Sequence, residues 1–353
     1  MTFPGFIDVH VHFRDPGVPE AETTATGLAA ARRGGFAAVV TMPNTTPAID
    51  SPAAVESHRR LSASGVTLLT SASITKGRLG REVADLEALA EAGAAFFTDD
   101  GSYVADDRVM EKAMARAADL GMVVCQHAMD PQIQAGGVIR DCALARRLNL
   151  PVIPAQAETT AILRDLALCR ETGCRLHVQH ISTAGGVALV REAQREGLPV
   201  TAEATPHHLL LTCDDLVADD ANFKMAPPLG NREDRAELRK AVKEGVLMFA
   251  TDHAPHPAAK KAQGFAQSAN GIIGLETAIP ITYAVMVEEE GMAVEDWAKA
   301  WCEKPRDIIR GLSIADDCTR IEIGEPRVVD VASFASLSRN CPYGGLEFRC
   351  WPI

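Results

Sequence analysis

The chain has 353 residues, of which 47% are hydrophobic and 23% are charged, a balance typical of a globular protein with a large core. Its formal net charge of −12 argues against a nucleic-acid-binding surface. No apolar run approaches the roughly 20 residues that a membrane-spanning helix needs.

The cysteines and the N-terminal segment predict a cytoplasmic protein. The nine cysteines contain no C-x-x-C pair, which favours reduced thiols. The first residues show no basic segment followed by an apolar stretch, so no secretion signal is expected. Small-molecule chemistry is the expected kind of function.

Short apolar runs alternate with amphipathic segments along the chain. The predicted strands are Phe6–Phe13, Phe36–Met42, Val66–Ile74, Ala94–Thr98, Met122–His127, Arg175–Ile181, Pro199–Ala204 and Val246–Thr251. The predicted helices are Thr23–Arg33, Ser51–Ala63, Glu82–Ala92, Arg108–Leu120, Thr159–Glu171, Gly185–Glu196 and Arg232–Glu244. This repeated alternation favours an α/β fold with a parallel sheet, most simply a (β/α)8 TIM barrel. A doubly wound open sheet is the alternative, but "FRDPGV" is not the glycine-rich loop expected after its first strand.

The first predicted strand has an unusual polar pattern. In "FIDVHVHFRDPG", Asp8, His10, His12 and Arg14 alternate with apolar residues, so they would share one face of a strand. An edge strand with hydrated histidines would show the same alternation. Two histidines at this spacing, followed at once by Arg-Asp-Pro-Gly, also suit a pair of metal ligands on a strand that ends at a site.

Most of the ten histidines lie at predicted strand ends. In a barrel these carboxyl ends meet on one face, where the active site is built. Imidazole nitrogens and carboxylate oxygens are donors that zinc accepts in proteins. The candidate metal ligands are His10, His12, Asp100, His127, His180 and Asp252.

Other polar residues have a structural interpretation beside a functional one. His58 is expected to be hydrated, and His177 is expected to face the helices. His207 and His208 could order the site or only its loop. Glu203 points inward in the predicted strand, either as an outer or additional metal contact or, as we favour, in a structural role.

Three residues are candidates for substrate chemistry. Asp252 opens "TDHAPH" after the last predicted strand, where a carboxylate can orient water and accept its proton, or can simply cap the loop. The fork of Arg14 can bind a carboxylate through two hydrogen bonds. Asn44 offers both a donor and an acceptor. Arg14 and Asn44 could equally be surface or turn residues.

Together these motifs resemble the dihydroorotases of the amidohydrolase superfamily. The resemblance extends from about Phe6 to Leu312. The HxH pair is shared across the superfamily, whereas "FRDPG", "DHAPH" and "GLET" are specific in combination. The segments that carry it are "DVHVHFRDPG", "TMPNTTPAID", "FTDDGS", "QHA", "HVQHISTAGG", "VTAEATPHHLLLT", "FKMAPPLGNRED", "FATDHAPH" and "GIIGLETAIP".

The resemblance implies an enzyme with one or two zinc ions per subunit. It implies that His10 and His12 bind one zinc together with Asp252, and that His127 and His180 bind a second. Many dihydroorotases bridge the two ions with a carboxylated lysine on the fourth strand.

This chain has "FFTDDG" in place of that lysine. The segment resembles a bacterial subgroup in which an aspartate takes the position, and the match falls on Asp100. Its neighbour Asp99 is the alternative.

The resemblance also implies a substrate and a reaction. The enzyme would interconvert N-carbamoyl-L-aspartate and L-dihydroorotate in pyrimidine biosynthesis, with Asp252 moving the proton. The α-carboxylate would bind to three side chains and the ring to a backbone loop. The substrate-binding residues so implied are Arg14, Asn44, His256, Asn270 and Gly271.

The domain prediction is a metal-dependent hydrolase barrel at residues 1–315 and a short C-terminal β segment at 316–353 that packs on it. Only nine residues precede His10, so the β-sandwich of many relatives is expected in reduced form. We expect a homo-oligomer, and association with aspartate transcarbamoylase is a further possibility. Neither a nucleic acid nor a membrane is expected as a partner.

Two other functions fit parts of the pattern. An allantoinase or hydantoinase would share the barrel and the zinc ions, but its ring has no α-carboxylate for Arg14 and Asn44. A non-catalytic scaffold for the transcarbamoylase would be expected to have lost metal ligands. Gly101–Asp107 and Pro255–Asn270 are the candidate segments for closing over a substrate.

Overall fold

The computed structural model describes residues 1–59, 65–310 and 318–353. Its strands are β1 (Thr2–Pro4), β2 (Phe6–Val11), β3 (Phe36–Thr41), β4 (Thr67–Thr70), β5 (Val123–Gln126), β6 (Arg175–Val178), β7 (Val200–Ala204), β8 (Met248–Phe249), β9 (Cys318–Val328) and β10 (Glu347–Pro352). Its α-helices are α1 (Thr24–Arg33), α2 (Pro52–Arg59), α3 (Leu86–Glu91), α4 (Asp107–Asp119), α5 (Pro131–Gln134), α6 (Ala143–Leu148), α7 (Gln156–Thr172), α8 (Ala184–Arg195), α9 (Pro206–Leu210), α10 (Arg232–Lys243), α11 (Ala258–Lys261), α12 (Gly264–Gln267), α13 (Ala278–Thr282) and α14 (Val294–Cys302). A π-helical segment, Tyr283–Glu289, follows α13. Short 3-10 turns occur at Lys76–Arg78, Cys213–Asp215, Ala221–Phe223, Lys304–Ile308 and Val331–Ser333.

Eight parallel segments close into a barrel. β2, β3 and β4 pair in that order, and β5 to β8 pair in theirs. Between the two sets, Phe97 bridges to Ala72 on one side and to Val124 on the other. A parallel bridge from Val11 to His253 closes the ring. The predicted (β/α)8 barrel is confirmed, although the fourth predicted strand forms only these isolated bridges.

The barrel strands are buried on both faces, which explains their apolar runs. One apolar cluster joins Ile7, Val40, Val123 and Met248, which come from β2, β3, β5 and β8. Because β2 and β5 lie on opposite sides of the ring, this cluster fills the barrel interior. A larger cluster packs the outer faces of the strands against the helices.

Helix ends follow local capping signals. Thr23 closes a capping box at the start of α1, and Asn231 does so for α10. α7 ends at Gly173, whose φ of 68° is the left-handed conformation that glycine adopts at little cost. α2 begins one residue after the start of the predicted helix Ser51–Ala63 and reaches Arg59, and residues 60–63 lie outside the described residues.

A second, antiparallel sheet lies beside the barrel, with β9 between β1 and β10. Thr319 of β9 accepts a hydrogen bond from Phe6 N at 2.8 Å and donates one to Gly35 O at 2.7 Å, which ties this sheet to the start of the barrel. The division at residues 315 and 316 stays a prediction, because that boundary lies outside the described residues. Within the described ranges, no helix combines the length and apolar character needed to span a bilayer.

Candidate active site

The six candidate metal ligands converge at the carboxyl ends of the barrel strands. They form three overlapping groups, and within each group the donor atoms lie within 4.8 Å of one another. The groups are His10–His180–Asp252, His10–His12–Asp100 and Asp100–His127–His180. All six residues are less than a tenth exposed. The barrel therefore brings together residues that are up to 242 positions apart in the sequence, from His10 to Asp252.

The separations between the donors suit a small divalent ion. His12 Nε2 lies 3.0 Å from Asp252 Oδ1 and 3.3 Å from Asp100 Oδ2. His10 Nε2 lies 3.4 Å from Asp100 Oδ1. An ion with tetrahedral ligands at about 2.0–2.1 Å separates those ligands by about 3.3–3.4 Å. The donor set therefore fits a metal ion of this size.

Asp100 lies between the two ends of the cluster. Its Oδ1 lies 3.4 Å from His180 Nε2 and 3.7 Å from His127 Nδ1, whereas its Oδ2 faces the other end. Asp99 turns away and accepts a hydrogen bond from Thr75 N at 3.1 Å. Of the two aspartates, only Asp100 lies among the histidines.

Electrostatics at the cluster favour a cation. Among the described residues, His10 Nε2 and Asp100 Oδ1 are buried without a hydrogen-bond partner. Burial disfavours a charged imidazole, yet nearby carboxylates raise the pKa of His10 well above its usual range. Burial opposes ionisation of Asp100, but the charge of His10 and the close contacts with the surrounding histidines hold its pKa well below its usual range. A divalent ion would satisfy both the unpaired donors and the concentrated negative charge.

Two candidate ligands sit on strained backbone. His180 has a φ of 33° and Asp252 a φ of 47°, both in the left-handed region. Such conformations cost about 1–3 kcal/mol each and persist where the surrounding structure imposes them. At both strand exits this sharp turn directs the side chain into the cluster.

Glu203 contacts the Nδ1 side of His10, and His177 in turn contacts Glu203. Glu203 Oε1 lies 2.5 Å from His10 Nδ1, and its Oε2 lies 2.9 Å from His177 Nε2. This contact leaves His10 Nε2 facing the other donors. The prediction that His177 faces the helices is wrong, because it pairs with Thr201 and turns inward to Glu203. The prediction counted the alternating inward and outward side chains of a strand back from His180. This alternation does not extend to His180, because β6 ends at Val178 and the backbone of His180 is left-handed.

The remaining predicted histidines have structural contacts. His208 lies 2.8 Å from Thr205 Oγ1 and 3.1 Å from Pro227 O, so it orders its loop. His207 is buried, and among the described residues its Nε2 has no hydrogen-bond partner. His58 is buried rather than hydrated, with its Nδ1 3.2 Å from Ala54 O.

A cavity of about 310 Å³ opens beside the cluster. Four of the five predicted substrate-binding residues line it, namely Arg14, Asn44, His256 and Asn270. Asn44 Oδ1 lies 2.9 Å from His12 Nδ1, which leaves His12 Nε2 for the metal side. Asn44 therefore contacts both the cluster and the cavity.

The positive charge of the cavity comes from Arg14, whereas Asp100 and Asp252, which also line it, supply negative charge. Its Nε donates to Pro255 O at 3.2 Å, and burial lowers its pKa to about 10, so the guanidinium stays positive at neutral pH. His256 Nε2 lies 2.6 Å from Asn270 O. Burial and the charge of Arg14 lower the pKa of His256 to about 3, so its imidazole is neutral. A fixed cation beside neutral polar groups suits a small anionic ligand.

Two basic residues near the site were missed by the sequence reasoning. Arg78 Nη2 donates to Asp100 O at 2.6 Å and to Ser102 Oγ at 3.2 Å, which holds the turn that carries Asp100. Lys261 Nζ donates to Gly271 O at 2.9 Å and to Ala269 O at 3.0 Å. Arg78 ends a 3-10 turn and Lys261 ends the short helix α11, and in neither place does a local pattern distinguish a supporting residue from a hydrated one.

Comparisons with known proteins identify the family. Residues 1–185 match a family model described as "Dihydro-orotase-like". The dihydroorotase of Geobacillus thermodenitrificans (strain NG80-2) is 43% identical across 100% of this chain and 85% of its own length. The dihydroorotase of Bacillus caldolyticus is 42% identical over the same shares.

Solved structures with the same fold include a cyclic amide hydrolase. The L-hydantoinase (dihydropyrimidinase) from Arthrobacter aurescens matches with a TM-score of 0.86 and 25% identity, over 100% of this chain and 83% of that one. The chain is 25% identical to this hydantoinase but 43% and 42% identical to the two dihydroorotases. The hydantoinase therefore shares the fold, whereas the dihydroorotases indicate the family. The chain therefore belongs to the dihydroorotase family and is a cyclic amide hydrolase.

Proposed function

We propose that the chain interconverts L-dihydroorotate and N-carbamoyl-L-aspartate with zinc at the histidine–aspartate cluster, the cyclising direction serving pyrimidine synthesis. One observation supports this most directly: six buried metal donors lie next to a cavity whose lining includes a charged arginine. The cluster suits activation of water at an amide, and Arg14 suits the α-carboxylate of this substrate.

The donor types support zinc, in one or two ions per subunit. Imidazole and carboxylate donors suit zinc, and the two oxygens of Asp100 face different histidines, which supports a bridging role. When bound, the metal supplies Lewis acidity that polarises the ring carbonyl and makes water nucleophilic at neutral pH. The proposed ligands are His10, His12 and Asp252 at one position, His127 and His180 at the other, and Asp100 between them.

Asp252 is the proposed proton carrier. In ring opening, water gives its hydroxyl to the acyl carbon, the carbon–nitrogen bond breaks, and the released nitrogen takes up a proton. Burial opposes ionisation of Asp252, but the charge of His10 and a hydrogen bond with His12 lower its pKa to about 2. It is therefore ionised at neutral pH, so it can accept the proton from water and pass it to the nitrogen.

The residues that line the cavity orient the substrate. Arg14 pairs with the α-carboxylate, and the Nδ2 of Asn44 is the group free to donate, since its Oδ1 faces His12. His256 is neutral without substrate and gains a proton more readily beside a carboxylate. The Asn270 carbonyl accepts from His256, and its second lone pair is available to a ring N–H.

Both other functions fit less well. A hydantoin ring has no α-carboxylate, so it would leave the half-buried charge of Arg14 without a partner. A non-catalytic scaffold has no need to hold six metal donors in one buried cluster.

The test is turnover by the purified chain loaded with zinc, with hydantoin and allantoin as control substrates and metal counted in the same sample. We expect ring opening of dihydroorotate alone. Turnover of a control ring in its place would contradict the proposed substrate, and a chain that binds no zinc and opens no ring would support the scaffold.

We also propose a cytoplasmic location and a homo-oligomeric assembly. All nine cysteines, which lie within the described residues, are free, and this supports the cytoplasm. On the small sheet, Ile323 and Val328 are 43% and 54% exposed, which supports a homo-oligomer that covers them. Sedimentation of the purified chain tests the oligomer, and co-sedimentation with aspartate transcarbamoylase tests that predicted association.

A further inference from the structure

The chain between β9 and β10 returns to the catalytic end of the barrel. There, Ser338 Oγ lies 2.7 Å from Ala21 O and 3.0 Å from His256 O, two acceptors that share its single hydroxyl proton. Ala21 belongs to the loop after β2, and His256 to the segment after β8. Residues 334–341, here called the return segment, therefore contact loops that carry proposed substrate-binding residues.

Asn340 makes the densest set of contacts in the return segment. Its side chain is buried, and its Oδ1 accepts from His256 N at 3.1 Å. Its Nδ2 donates to Ala254 O at 2.9 Å and to Gly271 O at 3.0 Å. Its backbone oxygen accepts from Ile273 N at 3.1 Å. The amide thus uses its acceptor and both donors, which also fixes its orientation.

These partners belong to two loop segments that pack backbone to backbone. A Cβ added at Gly271 would lie 2.5 Å from Ala254 O and 2.7 Å from His256 Cδ2. Glycine is therefore required at position 271 for this close approach. The approach also brings the carbonyl groups of Ala254 and Gly271 near each other. Without Asn340, Ala254 O would lose a buried donor, at a cost of about 1–3 kcal/mol.

Asn340 itself does not line the cavity and is absent from the described metal-donor groups. Its contacts are with the backbone of His256 and Gly271, two of the proposed substrate-binding residues. Any influence on the reaction therefore passes through the spacing of these two segments.

We propose that Asn340 is a positioning residue for substrate binding, which holds the His256 segment and the Asn270–Gly271 segment at the spacing that binds the ring and its carboxylate. This inference rests on the proposed function. It predicts an effect on substrate affinity that is separate from metal content and from the chemical step.

The test variant is Asn340→Asp, which keeps the shape and Oδ1 but loses the donor to Ala254 O and Gly271 O. We expect KM for dihydroorotate to rise about tenfold, equivalent to about 1.4 kcal/mol. Zinc content should match that of the original chain, and kcat should change far less than KM. Orotate, a planar analogue with the same carboxylate, should bind more weakly by a similar factor in calorimetry.

The matched control is Ser336→Ala. Ser336 is a buried residue of the same segment whose hydroxyl donates to Glu22 and not to either substrate-binding segment. We expect it to lower the melting temperature with KM unchanged. Asn340→Ser, a smaller neutral change, repeats the test if the aspartate variant does not fold.

An unchanged KM and orotate affinity in a folded Asn340 variant would overturn the inference. So would an equal rise in KM for Ser336→Ala, because the effect would then follow from loss of the segment's stability alone. Failure of the original chain to open dihydroorotate is a separate result, which contradicts the proposed function itself.

Discussion

The proposed metal-facing and substrate-facing halves of the site are built in different ways. The metal donors leave the ends of barrel strands or the turns directly after them, and neighbouring strands fix their positions. The substrate-facing residues lie on loops, and their backbone is held by contacts such as that of Asn340 with His256, 84 positions away. Under the proposed function, chemistry at the metal and affinity for substrate would depend on separate sets of contacts, which substitutions can separate.

The largest expected effect is at the boundary of the two halves, with Asp252→Asn. The amide cannot take up the proton of water, so kcat should fall about 10³-fold, within the 10²–10⁴-fold range of general acid–base catalysis. Zinc should remain, because His10, His12 and Asp100 still offer donors at the proposed position of Asp252. Stopped-flow or steady-state assays of dihydroorotate turnover measure kcat, and elemental analysis measures the zinc content.

Asp99→Asn is the control for that substitution. Asp99 is also a buried carboxylate at a strand end, but it bonds to Thr75 and not to the cluster. Its kcat and zinc content should stay near those of the original chain. Near-normal turnover by Asp252→Asn would remove Asp252 from the proton-transfer role.

The next effect belongs to the substrate half alone, with Arg14→Met. Loss of a charged, two-point contact with a carboxylate costs about 3 kcal/mol, so KM for dihydroorotate should rise about 100-fold. Zinc content should not change. Arg349→Met, at an exposed arginine that donates to Gly324 O, is the control. An unaltered KM in Arg14→Met would argue against the carboxylate contact.

The two halves also differ in how far sequence reasoning reached. His10, His12 and Asp252 were predictable because short motifs follow apolar strands, and a barrel brings all strand ends to one face. His177 was predicted wrongly, since a left-handed residue after β6 interrupts the alternation that was counted. Local periodicity holds only while the strand continues.

Support for the substrate loops was not predictable at all. Lys261 and Asn340 both donate to the backbone carbonyl of Gly271, and a contact with a backbone group does not depend on the type of residue that carries it. The partner of Asn340 depends on the path of a segment that follows the barrel. Arg14 and His256 were reached through motifs that resemble a family, whereas the contacts that hold them required the three-dimensional arrangement.

A smaller effect, confined to the metal half, is expected for Glu203→Gln. The amide keeps the shape but removes the negative charge behind His10, so zinc affinity should fall about 10–100-fold. At saturating zinc, KM for dihydroorotate should be normal. Competition with a chelator measures the affinity.

Glu158→Gln is the matched control for that experiment. Glu158 is another buried glutamate, but it accepts hydrogen bonds from Ser182 N and Thr183 N at 3.0 Å and, within the described part of the chain, bonds to none of the six proposed metal donors. The Glu158→Gln variant should have a lower free energy of unfolding and an unchanged affinity for zinc. A change in KM rather than in zinc affinity for Glu203→Gln would mean that the two halves are coupled through His10.

The smallest effect tests the substrate half without removing any side-chain contact. Gly271→Ala places a Cβ against Ala254 O, so the two loop segments must separate by a few tenths of an ångström or more. KM should rise severalfold, less than for Arg14→Met, because the charged contact remains. Gly173→Ala, at a left-handed position with open space around it, carries only the backbone cost of about 1 kcal/mol and should leave KM unchanged. If both variants have the original KM, the substrate loops tolerate a wider spacing than positioning by Asn340 requires; if only Gly271→Ala raises it, the spacing itself determines affinity.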